Sequence, residues 1–343
     1  MIFVNARFLT QRPTGVQRFA FEISRALKKI RNDIVFISPG GIVNREMADE
    51  LNPVIAGFSG SHLWEQVYLP FYLMREGNPL LLNLANTAPV FYRNKIVTIH
   101  DLAVFRYPRS FSWSFVRFYR FLLPRIARNS IKILTVSEFS RREITDVLGV
   151  EPEKVEVVRN AVPSGIKCRR VERKNIVLTV SSLDPRKNLV RLIRAFERIE
   201  GYRLVIAGAS SNVFRKMGLS GGESVEFLGH VDDTKLSELY SEASVLVYPS
   251  LYEGFGIPPL EAMKCGCPVV VSDIPPHREV CGDAALYVDP HSVESIREGI
   301  LRVLKDSDLR RELAQRGIRR VREFSWERSA FRVSYLIDSV LYA

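Results

Sequence analysis

Short apolar runs alternate with helical patterns along almost the whole chain. Residues 2–8 are typical of a strand, and Val16, Phe19, Ile23 and Leu27 then recur at helical spacing with a polar opposite face. Strands that alternate with helices form mostly parallel sheets with helices on both faces. The pattern therefore predicts an α/β fold, with further strands in this half at 34–38, 80–83, 95–100 and 133–137.

One break divides this alternation. Segment 164–174 follows a proline and contains a glycine. Its remaining residues are rich in lysine and arginine and show no hydrophobic periodicity, which is typical of a linker. A chain of 343 residues is long enough for two cores of roughly 150 residues each. We predict two Rossmann-like doubly wound domains, 1–163 and 175–325, and a final helix over 326–343. Strands of the second domain are predicted at 176–181, 203–207, 225–229, 244–249, 268–272 and 284–288.

Composition narrows the class of protein. No apolar run approaches the ~20 residues that span a bilayer, and residues 1–7 lack a secretory apolar region, so a cytoplasmic protein is expected. The cysteines have neither zinc nor redox spacing, which predicts free thiols and no metal site. There are four of them: Cys168, Cys265, Cys267 and Cys281.

The net charge of +11 is compatible with nucleic acid, an anionic membrane surface or anionic substrates. No zinc-finger, helix-turn-helix or RNP-like signature occurs, so nucleic acid is not expected as a partner. Residues 109–128 mix aromatics with arginines. They predict either a helix lying on an anionic bilayer, or core aromatics beside arginines that extend to solvent.

Segment 252–263 carries the strongest chemical signal. Gly254 and Gly256 permit close approach of a ligand to the backbone, and two prolines suit the start of a helix whose N–H groups favour an anion. Glu253 precedes that helix, and Glu261 is predicted in its first turn. A carboxylate can only accept hydrogen bonds. Two carboxylates on either side of an anion site therefore suit a ligand with hydroxyls at both ends and phosphates in the middle, as a nucleotide sugar has. The competing interpretation is an ordinary Gly/Pro turn with solvated glutamates.

The loop after the first strand of the second domain is basic. Arg186 can grip a diphosphate with its planar fork and Lys187 can do so as a point charge, which would stabilise a departing phosphate. Ser182 belongs to the same loop. The alternative is two solvated cations, although positive charge at a helix start opposes the helix dipole.

The two glutamates at a spacing of eight resemble the E-x7-E motif of family-four retaining glycosyltransferases, which have the GT-B fold. Other motifs match that family in order over most of the chain, and the amino-terminal half resembles its mannosyltransferase-type branch. Asn160-Ala161-Val162 departs from the Asn-Gly-Val of many relatives. The matching motifs are Asn5-Ala6-Arg7-Phe8, Thr14-Gly15-Val16-Gln17-Arg18, Leu63-Trp64-Glu65-Gln66, Ile99-His100-Asp101-Leu102, Val136-Ser137-Glu138-Phe139-Ser140 and Asp184-Pro185-Arg186-Lys187-Asn188.

The resemblance implies two domains that face a central cleft, with the final helix packed back on the first. It implies that Glu261 accepts from the ribose, that Glu253 accepts from the donor sugar, and that the loop at Val231 meets the base through its backbone. A lone histidine at a strand end is more often structural, but the resemblance places the active-site histidine at His100. The implied catalytic residues are His100, Arg186, Lys187 and Glu253, and the implied donor-binding residues are Gly15, Ser182, Val231, Gly254, Phe255, Gly256, Ile257 and Glu261.

The sequence and the resemblance together predict a metal-independent hexosyltransferase without a cofactor, and the resemblance implies that it retains configuration. The resemblance also implies a donor that is a GDP-sugar carrying mannose or a deoxyhexose, and an acceptor that is a glycan or lipid-linked glycan in cell-surface polysaccharide or lipopolysaccharide synthesis. Contact with the inner face of the plasma membrane is part of this prediction. Two alternatives remain open: a nucleotide-sugar epimerase or hydrolase of the same fold, and a non-catalytic nucleotide-sugar-binding assembly subunit.

Overall fold

The computed structural model describes residues 1–59, 62–208 and 224–342. The chain forms two compact units. Unit 1 contains Met1–Asn160 and Ser325–Ala343, and unit 2 contains Ala161–Phe324. Among the described helices, none combines the length and the apolar character that crossing a bilayer requires.

Unit 1 is built on a parallel sheet whose described strands run in the order β3-β2-β1-β4-β5-β6-β7. The order reverses between β1 and β4, and such a switch point is where open α/β sheets bind ligands, outside the carboxyl ends of the strands. The strands are β1 (Ile2–Asn5), β2 (Ile34–Gly40), β3 (Val54–Ser59), β4 (Leu80–Asn83), β5 (Lys95–Thr98), β6 (Lys132–Thr135) and β7 (Val155–Val157). The helices between them are α1 (Gly15–Ile30), α2 (Arg45–Leu51), α3 (Leu69–Arg75), α4 (Ala103–Arg106), α5 (Trp113–Asn129) and α6 (Glu138–Leu148).

Unit 2 repeats this design with the described strand order β10-β9-β8-β11-β12-β13, and its switch point lies between β8 and β11. Strands β8, β11 and β12 are largely apolar because helices cover both faces of the sheet. The strands are β8 (Lys174–Val180), β9 (Arg203–Ala207), β10 (Val225–Gly229), β11 (Ala243–Tyr248), β12 (Val269–Ser272) and β13 (Leu286–Val288). The described helices are α7 (Leu189–Phe196), α8 (Asp233–Glu242), α9 (Ile257–Lys264), α10 (Pro275–Cys281), α11 (Val293–Lys305) and α12 (Ser307–Val321).

The last helix, α13 (Trp326–Leu341), belongs to unit 1 and packs on α1. The rings of Trp326 and Phe19 meet edge to face, with centroids 6.0 Å apart. At the other end of the contact, the Arg31 guanidinium donates to Asp338 Oδ1 at 2.6 Å and to Ser334 Oγ at 2.9 Å. An apolar contact at one end and an ion pair at the other fix this helix along α1.

The predicted α/β class with parallel sheets is confirmed, and the differences are local. Strand β1 ends at Asn5 rather than at residue 8, because a 3-10 turn over Arg7–Thr10 follows it. Edge strands β3 and β7 were not predicted from the sequence, and neither were helices α2, α3, α4, α6 and α10. In α5 the buried residues are the aliphatic Leu122, Leu123, Ile126 and Ala127, while the aromatics Trp113, Phe118 and Phe121 are exposed.

The prediction of four free thiols is wrong for two of them. Cys168 and Cys265 form a disulfide across 97 residues of sequence, while Cys267 and Cys281 are free and buried. The pair forms because the segment before β8 runs along unit 2. There the backbone N–H of Lys167 donates to Ser237 Oγ at 3.0 Å, and Arg173 donates to the Cys265 carbonyl at 2.9 Å. The disulfide joins this segment to the end of α9.

Candidate active site

Two loops meet at the switch point of unit 2, one after β8 and one after β11. The backbone N–H of Leu251 donates to the Arg186 carbonyl at 2.7 Å. The Asn188 amide donates to the carbonyls of Pro249 at 2.9 Å and Pro290 at 2.6 Å. Asn188 has φ +61, a left-handed conformation that asparagine tolerates better than most residues. These bonds hold the two predicted motifs together at the carboxyl edge of the sheet.

Lys187 and Glu253 form an ion pair at this edge. Lys187 Nζ lies 2.6 Å from Glu253 Oε1 and 3.0 Å from the hydroxyl of Tyr248, the last residue of β11. The side chains of Lys187 and Glu253 are 19% and 12% exposed. A charge pair that is mostly desolvated interacts far more strongly than one on the surface. The sequence predicted separate contacts for the two residues, and the structure brings them into one group.

The pKa values of this group follow from that pairing. Burial disfavours the charged form of Lys187, but the Glu253 carboxylate outweighs burial and raises the lysine pKa. Burial would likewise raise the pKa of Glu253, yet Lys187 holds it below its usual range. Burial raises the pKa of Tyr248, and the Glu253 charge raises it further. The group therefore holds one ammonium, one carboxylate and one neutral phenol at neutral pH.

Arg186 lies in the same loop but is held by its neighbour. Its Nε lies 3.0 Å and 3.1 Å from the two oxygens of Asp184, whose Oδ1 also accepts the backbone N–H of Arg186 at 2.9 Å. The carboxylate offsets part of the guanidinium charge and fixes its direction. Ser182, earlier in this loop, is exposed.

The segment between the two glutamates begins α9 as predicted, with differences in detail. Gly256 precedes the helix at φ +94, in the left-handed region, whereas Gly254 does not adopt a positive φ. Helix α9 starts at Ile257, so Glu261 is its fifth residue and lies in the second turn, not the first as predicted. Glu261 is 4% exposed, and its Oε2 accepts the hydroxyl of Tyr240 at 2.6 Å.

His277 is a residue of this site that the sequence analysis missed. It lies on α10 after β12, and its ring centroid is 5.6 Å from that of Tyr248. A Cβ at Gly256 would lie 3.4 Å from His277 Nε2, so the imidazole packs against the turn that begins α9. Its Nδ1 lies 3.1 Å from the Ser272 carbonyl and must donate there, while Nε2 has no partner among the described residues. Only its position just after a strand of the parallel sheet could have indicated a role.

Burial lowers the pKa of His277 from 6.5 to about 4, although the nearby Glu253 charge opposes the shift. Since the folded pKa is depressed, the unfolded chain takes up a proton between pH 6.5 and 4 that the folded chain does not. Stability is thus fully present above pH 6.5 and falls as the pH drops, by up to about 1.4 kcal/mol per pH unit. We expect His277→Gln to flatten this dependence in urea unfolding, while the exposed control His291→Gln keeps it. If the free energy of unfolding depends on pH in the same way for His277→Gln and wild type, the assignment of this pH dependence to His277 is wrong.

In unit 1, His100 lies just after β5, at a strand end as predicted. His100 is 7% exposed, its Nε2 lies 3.2 Å from the Leu84 carbonyl, and its ring meets Phe19 edge to face at 4.8 Å. Burial lowers its pKa to about 4, so the imidazole is neutral and Nδ1 is its acceptor nitrogen. Gly15 is exposed at the first position of α1, where Thr14 and Gln17 form a capping box.

Two aspartates cap the elements that follow β5 and β10. Asp101 caps the turn after β5, since its Oδ1 accepts the backbone N–H of Ala103 at 2.9 Å. Val231 lies in the loop between β10 and α8, and Asp232 Oδ1 caps that helix through the backbone N–H of Lys235 at 2.7 Å. Within residues 1–59, 62–208 and 224–342, no group of three or more metal-ligating side chains is assembled.

Comparisons with known proteins agree with this architecture. The family model of glycosyltransferase family 4 matches residues 13–165, and that of glycosyl transferases group 1 matches residues 167–320. The chain is 30% identical over 324 residues to the O-antigen chain mannosyltransferase RfbU of Salmonella typhimurium, covering 87% of this chain and 90% of that protein. It is 33% identical over 254 residues to the O-antigen chain mannosyltransferase B of Escherichia coli, covering 68% of this chain and 67% of that protein.

Solved structures share the fold. The glycosyltransferase WaaG, involved in lipopolysaccharide biosynthesis, superposes with a TM-score of 0.75 at 16% identity over 98% of this chain and 99% of its own. HepE of Anabaena in complex with UDP-glucose superposes with a TM-score of 0.78 at 16% identity, over 98% and 99% of the two chains. Two parallel-sheet units, the ordered motifs and these relatives lead to one conclusion: the chain is a glycosyltransferase of family 4, in its mannosyltransferase-type branch.

Proposed function

We propose that this glycosyltransferase moves a hexose from a GDP-sugar, best mannose or a deoxyhexose, onto a glycan or lipid-linked glycan in cell-surface polysaccharide synthesis. The reaction proceeds with retention of configuration and without a metal ion. The observation that carries the proposal is the Lys187–Glu253 pair at the unit 2 switch point. The names of the O-antigen mannosyltransferase relatives support the choice of sugar and product.

Each group of the site has a role in this reaction. Lys187 and Arg186, with the amino terminus of α9, stabilise negative charge that develops on the diphosphate as the sugar leaves. Glu253 accepts hydrogen bonds from the sugar and balances the positive charge that its ring gains, and Glu261 accepts from the ribose. The neutral His100 of unit 1 accepts a hydrogen bond from a sugar hydroxyl.

The donor is tested by binding and by transfer. A ligand that binds the native state raises its stability, so GDP should raise the melting temperature more than UDP. Wild-type protein should transfer labelled mannose from GDP-mannose to a lipid extract of polysaccharide-producing cells. NMR of the product should show an α-linkage, as in the donor. Stabilisation by UDP alone would overturn the choice of base, and release of free sugar or an epimer without acceptor would favour the hydrolase or epimerase alternative.

We expect activity to survive exhaustive EDTA treatment. Lys187, Arg186 and the amino terminus of α9 supply the positive potential that a divalent cation supplies to the diphosphate in metal-dependent enzymes. The measurement is the initial rate before and after chelation, with and without added magnesium or manganese. A rate that collapses and returns with either ion would show that a metal site had been missed.

The proposal includes contact with an anionic bilayer through α5. Trp113 and Phe121 are 73% and 57% exposed, so α5 presents aromatic rings to solvent rather than to the core. Arginines lie over both rings, Arg117 at 4.9 Å from the Trp113 centroid and Arg125 at 3.4 Å from that of Phe121. Aromatic side chains interleaved with cations suit the headgroup region of anionic lipids.

Sedimentation with vesicles tests this contact. We expect wild-type protein to pellet with vesicles of phosphatidylglycerol and phosphatidylcholine but less with phosphatidylcholine alone. The double variant Trp113→Ser/Phe121→Ser should lose most of this binding. The matched control is Tyr335→Ser, which removes another exposed aromatic of unit 1 that lies on α13 and is 76% exposed. Equal loss in the control, or none in the double variant, would contradict a role for α5.

A further inference from the structure

Two motifs that the donor site leaves unused meet at the switch point of unit 1. Asn5 and Asn83 are the last residues of β1 and β4 and are register partners. The Asn5 amide donates to Asn83 Oδ1 at 3.0 Å and to Glu65 Oε1 at 2.9 Å. Arg7 Nε lies 3.3 Å from the same Glu65 oxygen, and Arg7 Nη2 donates to Thr87 Oγ1 at 2.8 Å. The motifs at 5–8 and 63–66 therefore form one buried network.

Glu65 is the centre of this network, since its Oε1 accepts from both Asn5 and Arg7. The residue is 1% exposed, and Oε2 has no hydrogen-bond partner among the described residues. Burial would raise the pKa of Glu65, but His62 and Arg7 beside it keep the carboxylate ionised and its pKa low. Glu65 lies in a π-helical turn over Trp64–Tyr68, a departure from α-helix that is frequent at functional sites.

His62 connects the buried carboxylate to the surface. Its Nδ1 is buried, has no hydrogen-bond partner among the described residues and lies 3.8 Å from Glu65 Oε2. The His62 side chain is nevertheless 42% exposed, so Nε2 on the other edge of the ring is the nitrogen that can meet a ligand. The ring lies beside α5, with centroids 5.0 Å from Phe118 and 6.3 Å from Tyr119.

We propose that these residues form a subsite for the acceptor carbohydrate, in which His62, oriented by Glu65, accepts a hydrogen bond from a sugar hydroxyl. This inference rests on the proposed function. We name Asn5, Arg7, His62, Glu65 and Tyr119 the acceptor cluster. In the tautomer that carries its proton on Nδ1, which faces Glu65 Oε2 at 3.8 Å, Nε2 is unprotonated and can accept from a hydroxyl donor.

The charge of the acceptor cluster favours a neutral ligand over a phosphate. Arg7 is 8% exposed and is already committed to Glu65 and Thr87, so its charge is balanced within the network. The aromatic rings of Phe118 and Tyr119 offer apolar faces next to the polar nitrogen, a combination that suits the C–H and O–H groups of a pyranose. The cluster also adjoins α5, so a glycan carried on a lipid would enter the subsite near the bilayer contact proposed above.

The binding test uses simple glycosides and NMR saturation transfer. The probes are the methyl α-glycosides of mannose, glucose and N-acetylglucosamine. We expect at least one to bind wild type and the matched control His291→Ala, and His62→Ala to bind it about tenfold more weakly, the loss of one hydrogen bond. The affinity for GDP should be the same in wild type, His62→Ala and His291→Ala, and so should the affinity for UDP. Equal glycoside binding by His62→Ala, or no glycoside binding by wild type, would overturn the subsite.

Glu65 is a positioning residue in this proposal, so its test needs a readout other than affinity. Nitrogen-15 NMR of the histidines should show His62 protonated at Nδ1 in wild type and shifted towards Nε2 protonation in Glu65→Gln. His62→Gln, which retains a polar group near the Nε2 position, should restore part of the glycoside binding that His62→Ala loses. An unchanged tautomer in folded Glu65→Gln would eliminate the orienting role. Failure of the proposed function can be told apart from failure of the subsite. If the proposed function is wrong, wild type will bind neither GDP nor UDP, whether or not it binds a glycoside.

Discussion

Replacing Lys187 with alanine should lower turnover by about a hundredfold or more, the range seen when one preorganised donor to a developing negative charge is lost. The ammonium is buried against Glu253 and Tyr248, so water cannot replace it as readily as it would at the surface. The measurement is kcat with saturating donor. Lys174→Ala is the matched control, since it also breaks a lysine–glutamate pair of unit 2, at 2.7 Å to Glu242, but an exposed one.

The same substitution leaves Glu253 buried without its cation, which costs roughly 3–5 kcal/mol in typical cases. Folding must therefore be checked by near-UV circular dichroism and urea unfolding before the rates are compared. Lys187→Ala/Glu253→Gln, which removes both charges, should recover much of the lost stability but none of the activity. Near-wild-type turnover in a folded Lys187→Ala protein would eliminate the leaving-group role.

The two glutamates should separate by kinetics. Glu253→Gln should lower kcat by about a hundredfold and leave binding of free GDP almost unchanged, because the charge on the sugar ring develops only in the transition state. Glu261→Gln should mainly raise the donor KM and weaken free GDP by roughly ten- to a hundredfold, the loss of a hydrogen bond to a charged group. Isothermal titration of GDP against both variants is the deciding measurement.

Tyr240→Phe is the control for Glu261, since it removes the hydroxyl that Glu261 Oε2 accepts but keeps the carboxylate. It should weaken GDP far less than Glu261→Gln does. If Glu253→Gln weakens GDP binding more than Glu261→Gln does, the donor lies in the site with its ribose and its sugar in the opposite places to those proposed.

The sequence was sufficient to predict the central strands of both sheets. Runs such as Val269–Ser272 are buried on both faces and therefore apolar throughout, which is a strong local signal. Edge strand β3 gave no such signal because Val54, Ile55 and Phe58 are 43%, 52% and 47% exposed. Strand β7 has three residues, too few to show any period.

For the candidate site, the sequence located the loops but not the partners. Parallel topology forces strand ends to one edge, so the neighbourhood of loops 181–188 and 249–256 follows from strand order. Whether Lys187 meets Glu253 or solvent depends on backbone details such as the positive φ of Asn188 and Gly256. The Cys168–Cys265 disulfide depends on the path of a segment without any periodic pattern. His277 belongs to no motif that could have singled it out.

The position of α13 has a consequence for synthesis on the ribosome. Unit 1 needs residues from both ends of the chain, whereas unit 2 is continuous between them. Domains fold as their residues emerge, so unit 2 can finish while α1 still lacks the helix that covers Phe19. During that interval the apolar surface under α13 is open to chaperones and proteases. A chain that is released before Trp326 has been translated would thus carry an uncovered α1, although it contains every residue of unit 2.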